Sequence, residues 1–128
     1  MRTEPLLLGV RVAVGPDGDA EEITEVTRQV RRELLALDVE AVRTPTEGDA
    51  PAGSKGLELA ALGALVVTVG RSQVLSSIVT AVRSWLAGSK QRSIRLELGG
   101  DVLELTGVSS KEQRRLTDEW LLRHGSRQ

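Results

Sequence analysis

Leu57–Leu86 reads LELAALGALVVTVGRSQVLSSIVTAVRSWL, thirty residues carrying only three charges, Glu58, Arg71 and Arg83. More polar sequence flanks it on both sides, so the stretch is either the core of the protein or a contact surface. A membrane-spanning helix needs about 20 consecutive predominantly apolar residues. Arg71 divides the stretch into 57–70 and 72–87, and neither piece reaches that length. The second piece is helical in pattern. Val74, Ile78, Ala81 and Trp85 form one stripe and Leu75, Val79, Val82 and Leu86 the adjacent one. Gln73, Ser76, Ser77, Thr80, Arg83 and Ser84 fall opposite, Ser72 is placed to cap, and Gly88 suits a C-terminal stop. The first piece admits two readings, because a short apolar run is ambiguous by periodicity. GALVVTVG, between Gly63 and Gly70, is Val-rich like a strand, yet it also fits the first of two packed helices broken at Gly70-Arg71. The helical reading is the expectation carried forward, with the excess apolar surface of 57–86 as the place to look for a partner.

Upstream, LLLGVRVAV (6–14) alternates as a strand, with Leu8, Val10, Val12 and Val14 on one parity and Arg11 on the other. GPDGD turns the chain, and Asp19-x-x-Glu22 resembles a capping box that opens a helix over 20–37. Its apolar stripe is Ile23, Val26, Val30, Leu34 and Leu37, and Glu25 and Arg28 can pair on the other side. DVEAVRT (38–44) is a short strand. A lone helix between two strands predicts a right-handed parallel crossover. Pro45 stops that strand and a loop runs to Gly56.

Downstream, SIRLEL and DVLELT alternate around Gly99-Gly100. A two-residue turn there opposes Leu98 to Asp101, Leu96 to Leu103 and Ile94 to Leu105, and places Arg95 opposite Glu104. Ser109-x-x-Glu112 reads as a capping box for a last helix ending near Gly125. In it, Leu116, Trp120 and either Leu121 or Leu122 face the sheet, and Arg114–Asp118 and Arg115–Glu119 are spaced to pair outside.

The chain has 128 residues, a net charge of −1 and no Cys, with Trp85 and Trp120 as its only aromatics. That length suits one domain, 1–128, with an ordered core of about 6–124. Near-neutral charge and the lack of stacking platforms argue against nucleic acid as a partner. Without Cys, disulfides and thiolate chemistry are excluded. The apolar N-terminal run is short and interrupted by Arg11, and no small-residue cleavage site follows, so it does not read as a signal peptide. A cytoplasmic location is the expectation.

No catalytic constellation stands out, and no catalytic, cofactor or metal residues are assigned. His124, the only histidine, lies in the last turn of the last helix, where a cation suits the dipole. GDAPAG (48–53) has the spacing of a phosphate loop, but Ser54 precedes Lys55, the reverse of the order that places both groups, and Pro51 removes a backbone donor. Arg28, Arg31 and Arg32 offer a patch for an acidic partner, although charge on the outer side of an amphipathic helix is ordinarily just solvated. Together with Arg71, Arg83 and Trp85 they make the candidate interaction surface.

The order of features carries a resemblance. A capped helix EEITEVTRQVRRELLALDVEAV runs into a strand, a Pro/Gly loop ends in AGSKG, an apolar pair of segments ends in SWL, and a hairpin IRLELGGDVLELTG leads into SSKEQRRLTDEWL. From about Leu6 to His124 this resembles the effector-associated constant component one family of actinobacteria and similar multicellular bacteria. The resemblance implies a non-enzymatic adaptor or sensor in a bacterial conflict system, partnered with a protease effector or an NTPase; homo-oligomer formation is compatible with it. It brings no catalytic residue and no cofactor. Membrane association through a 57–86 apolar hairpin and nucleotide binding through the 48–56 loop are the alternatives. The expected fold is α+β, ordered β-α-β-α-α-β-β-α, with a four-stranded mixed sheet and helices mainly on one face.

Overall fold

Side chains alternate across a strand, so a strand with every second residue apolar makes one face that must be covered. In the computed structural model, which describes residues 5–45, 63–108 and 110–124, five strands share this pattern. They are β1 (Leu6–Ala13), β2 (Ala41–Arg43), β3 (Ala64–Val69), β4 (Ser93–Leu98) and β5 (Asp101–Thr106). Three helices accompany them, α1 (Ala20–Leu35), α2 (Val74–Leu86) and α3 (Lys111–His124). The order along the described chain is β-α-β-β-α-β-β-α, an α+β arrangement.

The sheet order is β2-β3-β1-β4-β5, and every neighbouring pair is antiparallel. Three expectations are corrected here. The sheet has five strands where four were expected, because Ala64–Val69 is a strand and not part of a helix. The sheet is antiparallel and not mixed. The crossover from β1 through α1 to β2 does leave those strands pointing the same way, but β3 lies between them and pairs with both. One cause underlies all three. LVVTV is β-branched, and as a strand it pairs along six positions of β1, from Leu6↔Val69 to Arg11↔Ala64, burying Leu65, Val67 and Val69 against the helices. A helix there would have forfeited both neighbours. Residues 57–62, the rest of that expected helix, lie outside the described residues, as does most of the 45–56 loop.

Helices lie against one sheet face. Leu8, Val10 and Val12 of β1, Ile94, Leu96 and Leu98 of β4, and Leu103 and Leu105 of β5 are buried beneath them with Val42. Helix α1 contributes Val26, Val30 and Leu34, and α2 contributes Val74, Leu75, Ile78, Val79, Val82 and Leu86. The Asp19 carboxylate accepts from the Glu22 amide at 2.9 Å, as the capping reading requires. Helix α2 begins at Gln73 without a side-chain cap, so Ser72 does not play that part.

The hairpin has the register expected of it. Gly99 and Gly100 take φ of +61° and +88°, the left-handed pair of a type I′ turn that side chains rarely adopt. Leu98↔Asp101, Leu96↔Leu103 and Ile94↔Leu105 follow, and Arg95 and Glu104 approach to 3.6 Å. Helix α3 starts one residue later than the capping-box reading placed it: Ser110 Oγ accepts the Gln113 amide at 3.0 Å. The buried face also differs from the expected one. Thr117 and Trp120 are buried and Leu121 partly so, whereas Leu116 and Leu122 are exposed. Arg115 pairs with Glu119 at 2.9 Å and also with Glu112, while Arg114 and Asp118 form no bridge.

Candidate interaction surface

The helices leave the other sheet face uncovered among the described residues. Among its residues, those of opposite parity, are Leu7, Gly9, Arg11 and Ala13 on β1, Ala64, Val66 and Thr68 on β3, Arg95 and Glu97 on β4, and Val102 and Glu104 on β5. Leu7 and Val102 are 57% and 47% exposed, high for large aliphatic side chains. Gly9 has no side chain, and around it lies a shallow depression of about 220 Å³ lined by Arg11, Pro45, Ala64, Val66, Glu97 and Val102 among others.

The electrostatics of this face are unusual at one point. Arg11 and Arg95 are direct cross-strand partners. Like charges placed opposite each other on one sheet face repel. Arg95 reaches Glu104, but the Arg11 side chain makes no hydrogen bond or ion pair among the described residues. Among the described residues the face therefore presents a guanidinium without a bonded partner beside a small apolar floor.

The six residues singled out from the sequence do not form one surface. On α1, Arg28 pairs with Glu25, Arg31 Nη2 reaches the Val42 carbonyl at 3.4 Å, and Arg32 is exposed. Arg71 bonds Asp38 at 2.6 Å and ties the β3–α2 loop to the α1–β2 loop. Arg83 is at the other end of α2, in a polar cleft with Thr80, Ser84, Thr106 and Gln113. Trp85 packs partly buried against the core with the Arg92 guanidinium over its ring at 5.2 Å. Arg28 already holds a partner on α1, and Arg31 one on β2. The signal that would have led to the sheet face was on the page in the strand alternation: Arg11 and Arg95 share the outward parity, but only the register shows that they are neighbours.

A second cluster joins the end of α3 to the hairpin. The Asp101 carboxylate accepts from Arg123 Nε at 2.7 Å and Nη2 at 3.1 Å, and contacts His124 Nε2 at 2.6 Å. The Trp120 indole N–H donates to the Asp101 carbonyl at 3.1 Å, and the Trp120 and His124 rings lie 5.1 Å apart. The hydrogen bonds from Arg123, and then from His124, hold the Asp101 carboxyl below the usual carboxylate range against the opposing effect of burial. The same pairing raises Arg123. Every partner in the cluster belongs to α3 or to the turn, so its work is to fasten a helix whose own buried face is only Thr117 and Trp120. His124 thus has a specific partner, which its place at a helix end did not reveal. The 48–53 loop lies outside the described residues. Among the described residues no group of three or more metal-ligating side chains comes together, and no helix is long and apolar enough to cross a membrane.

Comparisons with protein-family models, with curated proteins and with solved structures each returned no match.

Proposed function

We propose that this chain is a protein-interaction module that works through its uncovered sheet face. The observation that carries the reading is the pairing of apolar exposure with a charge that has no bonded partner among the described residues. Leu7 and Val102 stand out from that face, and Arg11, whose side chain has no partner among the described residues, lies opposite Arg95. A partner that covers this face removes apolar surface from water and supplies an opposing charge, and both contributions are largest at the centre of an interface. The family resemblance gives the setting: a non-enzymatic adaptor or sensor of a bacterial conflict system whose partner is a protease effector or an NTPase.

The membrane alternative required 57–86 to be an apolar helical hairpin, and Ala64–Val69 is instead a strand bonded on both sides within the sheet. The adaptor reading is therefore preferred. The test is binding between the purified chain and a protease or NTPase encoded beside it. Replacing Leu7 and Val102 together by Arg is expected to abolish binding while the circular dichroism spectrum stays unchanged. Undiminished binding by that variant, or no binding by the parent chain, would remove the proposal.

A further inference from the structure

Helix α3 is held to the molecule differently from its two companions. Helix α1 buries five side chains and α2 buries six, whereas α3 buries two, Thr117 and Trp120. Leu116 and Leu122 of α3 are exposed. The other side-chain ties between α3 and the sheet are polar and sit at its ends. Near its start, Gln113 Nε2 donates to Thr106 Oγ1 at 3.3 Å. At its finish, Arg123 and His124 hold the Asp101 carboxylate. The fully buried Trp120 donates its indole N–H to the carbonyl of that same Asp101.

Connectivity sets α3 apart as well. Helices α1 and α2 each lie between two strands of the sheet, so each is anchored by a strand at both ends. Helix α3 follows β5, and among the described residues no strand follows it. Strand β5 pairs with β4 along six positions, from Ser93↔Thr106 to Leu98↔Asp101, and none of those pairings needs α3.

We propose that α3 is a releasable helix: it leaves as a unit, with Trp120 as its plug and Asp101 as its catch, while the sheet, α1 and α2 stay folded. Proteins open in cooperative units, and those with few buried apolar contacts open most readily. A 14-residue helix is marginal in water by itself, so α3 melts as it leaves, and the conformational entropy regained favours release. The indole, the guanidinium and the imidazole all hold to one residue, Asp101, so they let go together. Release draws Trp120 out of a core cluster that includes Leu103 and Leu105 of β5. It thereby opens apolar surface on the helix side of β5 that the closed chain hides. This device does not depend on the reading of the opposite sheet face as an interaction surface.

The test is native-state amide hydrogen exchange of the full chain at low urea concentrations. The α3 amides are expected to exchange through an opening with a shallow urea dependence, at least about tenfold less protected than those of β1 and β4. Leu65 is buried on β3, and two strands separate β3 from β5. Its contacts survive in the released state, so Leu65→Ala should lower protection in β1 and β4 by at least about tenfold and leave that of α3 unchanged. If Leu65→Ala does not fold, Val67→Ala on the same strand makes the same comparison with a smaller loss. Asp101→Asn keeps the carbonyl that holds Trp120 and weakens only the catch; it should lower α3 protection several-fold. The proposal is overturned if the α3 amides share the urea dependence of β1 and β4 and fall with Leu65→Ala by the same factor, since α3 then opens only when the whole chain unfolds. Protection of α3 that is indifferent to Asp101→Asn overturns it too.

Discussion

The two faces of one sheet are made from the same strands, yet they obey different rules. Toward the helices, β1 presents Leu8, Val10 and Val12, all buried; away from them it presents Leu7, Gly9, Arg11 and Ala13. The first set must be covered for the chain to fold, since each large aliphatic side chain contributes about 1.5–3 kcal/mol when withdrawn from water. The second set contributes little to folding, and so its residues are free to answer to something else. The contrast places the folding core on one side of the sheet and leaves the other side to the proposed recognition role. The two separate because the side-chain period of a strand is two.

Substitutions on the two sides should therefore diverge. The largest expected effect is Leu96→Ala, which empties a fully buried site on the central strands and should cost about 2–5 kcal/mol in urea unfolding. A loss below 1 kcal/mol would mean that the helix-covered face is not the main core. Next comes Gly100→Ala. At φ of +88° an L side chain is strained, and a destabilisation of about 1 kcal/mol is expected in the same assay. Asn at Gly99 should be tolerated better than Val there, because Asn adopts the left-handed region more readily.

The Asp101 fastening gives a smaller effect that depends on pH. Arg123 and His124 lower the folded pKa of Asp101, so the stability it contributes is present above the carboxylate's unfolded value of about 3.9 and is lost as pH falls through the lower folded value. Protection of the amides at the end of α3, taken relative to the intrinsic exchange rate at each pH, is expected to fall in the parent chain across that acid window. Asp101→Asn should start less protected and show less of this pH dependence. An identical pH response in both would show that another group controls the helix end.

The smallest effect tests the other side of the comparison. Leu7→Ser, at an exposed position, should change unfolding stability by no more than about 0.5 kcal/mol. A large loss would place Leu7 in the folding core and move the boundary between the two faces.

Local pattern sufficed for much of this architecture. The β4–β5 hairpin followed from alternation plus Gly99-Gly100, because a two-residue turn leaves only one register compatible with one apolar face. The buried stripes of α1 and α2 followed from helical spacing, and the Asp19 cap from its distance to Glu22. Two readings failed for want of neighbours. Ala64–Val69 is apolar enough for either element, and what made it a strand was β1 on one side and β2 on the other. In α3, an apolar Leu116 was expected inward, but Trp120 is buried in the core with its indole N–H bonded to the Asp101 carbonyl of the hairpin, and Thr117, one turn before it, takes the buried place.

The surface shows the same division. Arg28, Arg31, Arg32, Arg71, Arg83 and Trp85 were marked as a contact surface by residue type, and they scatter over α1, α2 and a loop. Arg11 and Arg95 lie far apart in the chain and meet only through the pairing of β1 with β4; Asp101 and Arg123 meet only because α3 folds back on the turn. The sequence by itself determined which side is apolar in β1, α1, α2 and the β4–β5 hairpin, since periodicity and turn chemistry are local. The tertiary structure alone decided which strands are neighbours, and with that the sheet order, the uncovered face and the charges that confront each other on it, because strand pairing is a contact between segments distant in the chain that no local pattern encodes.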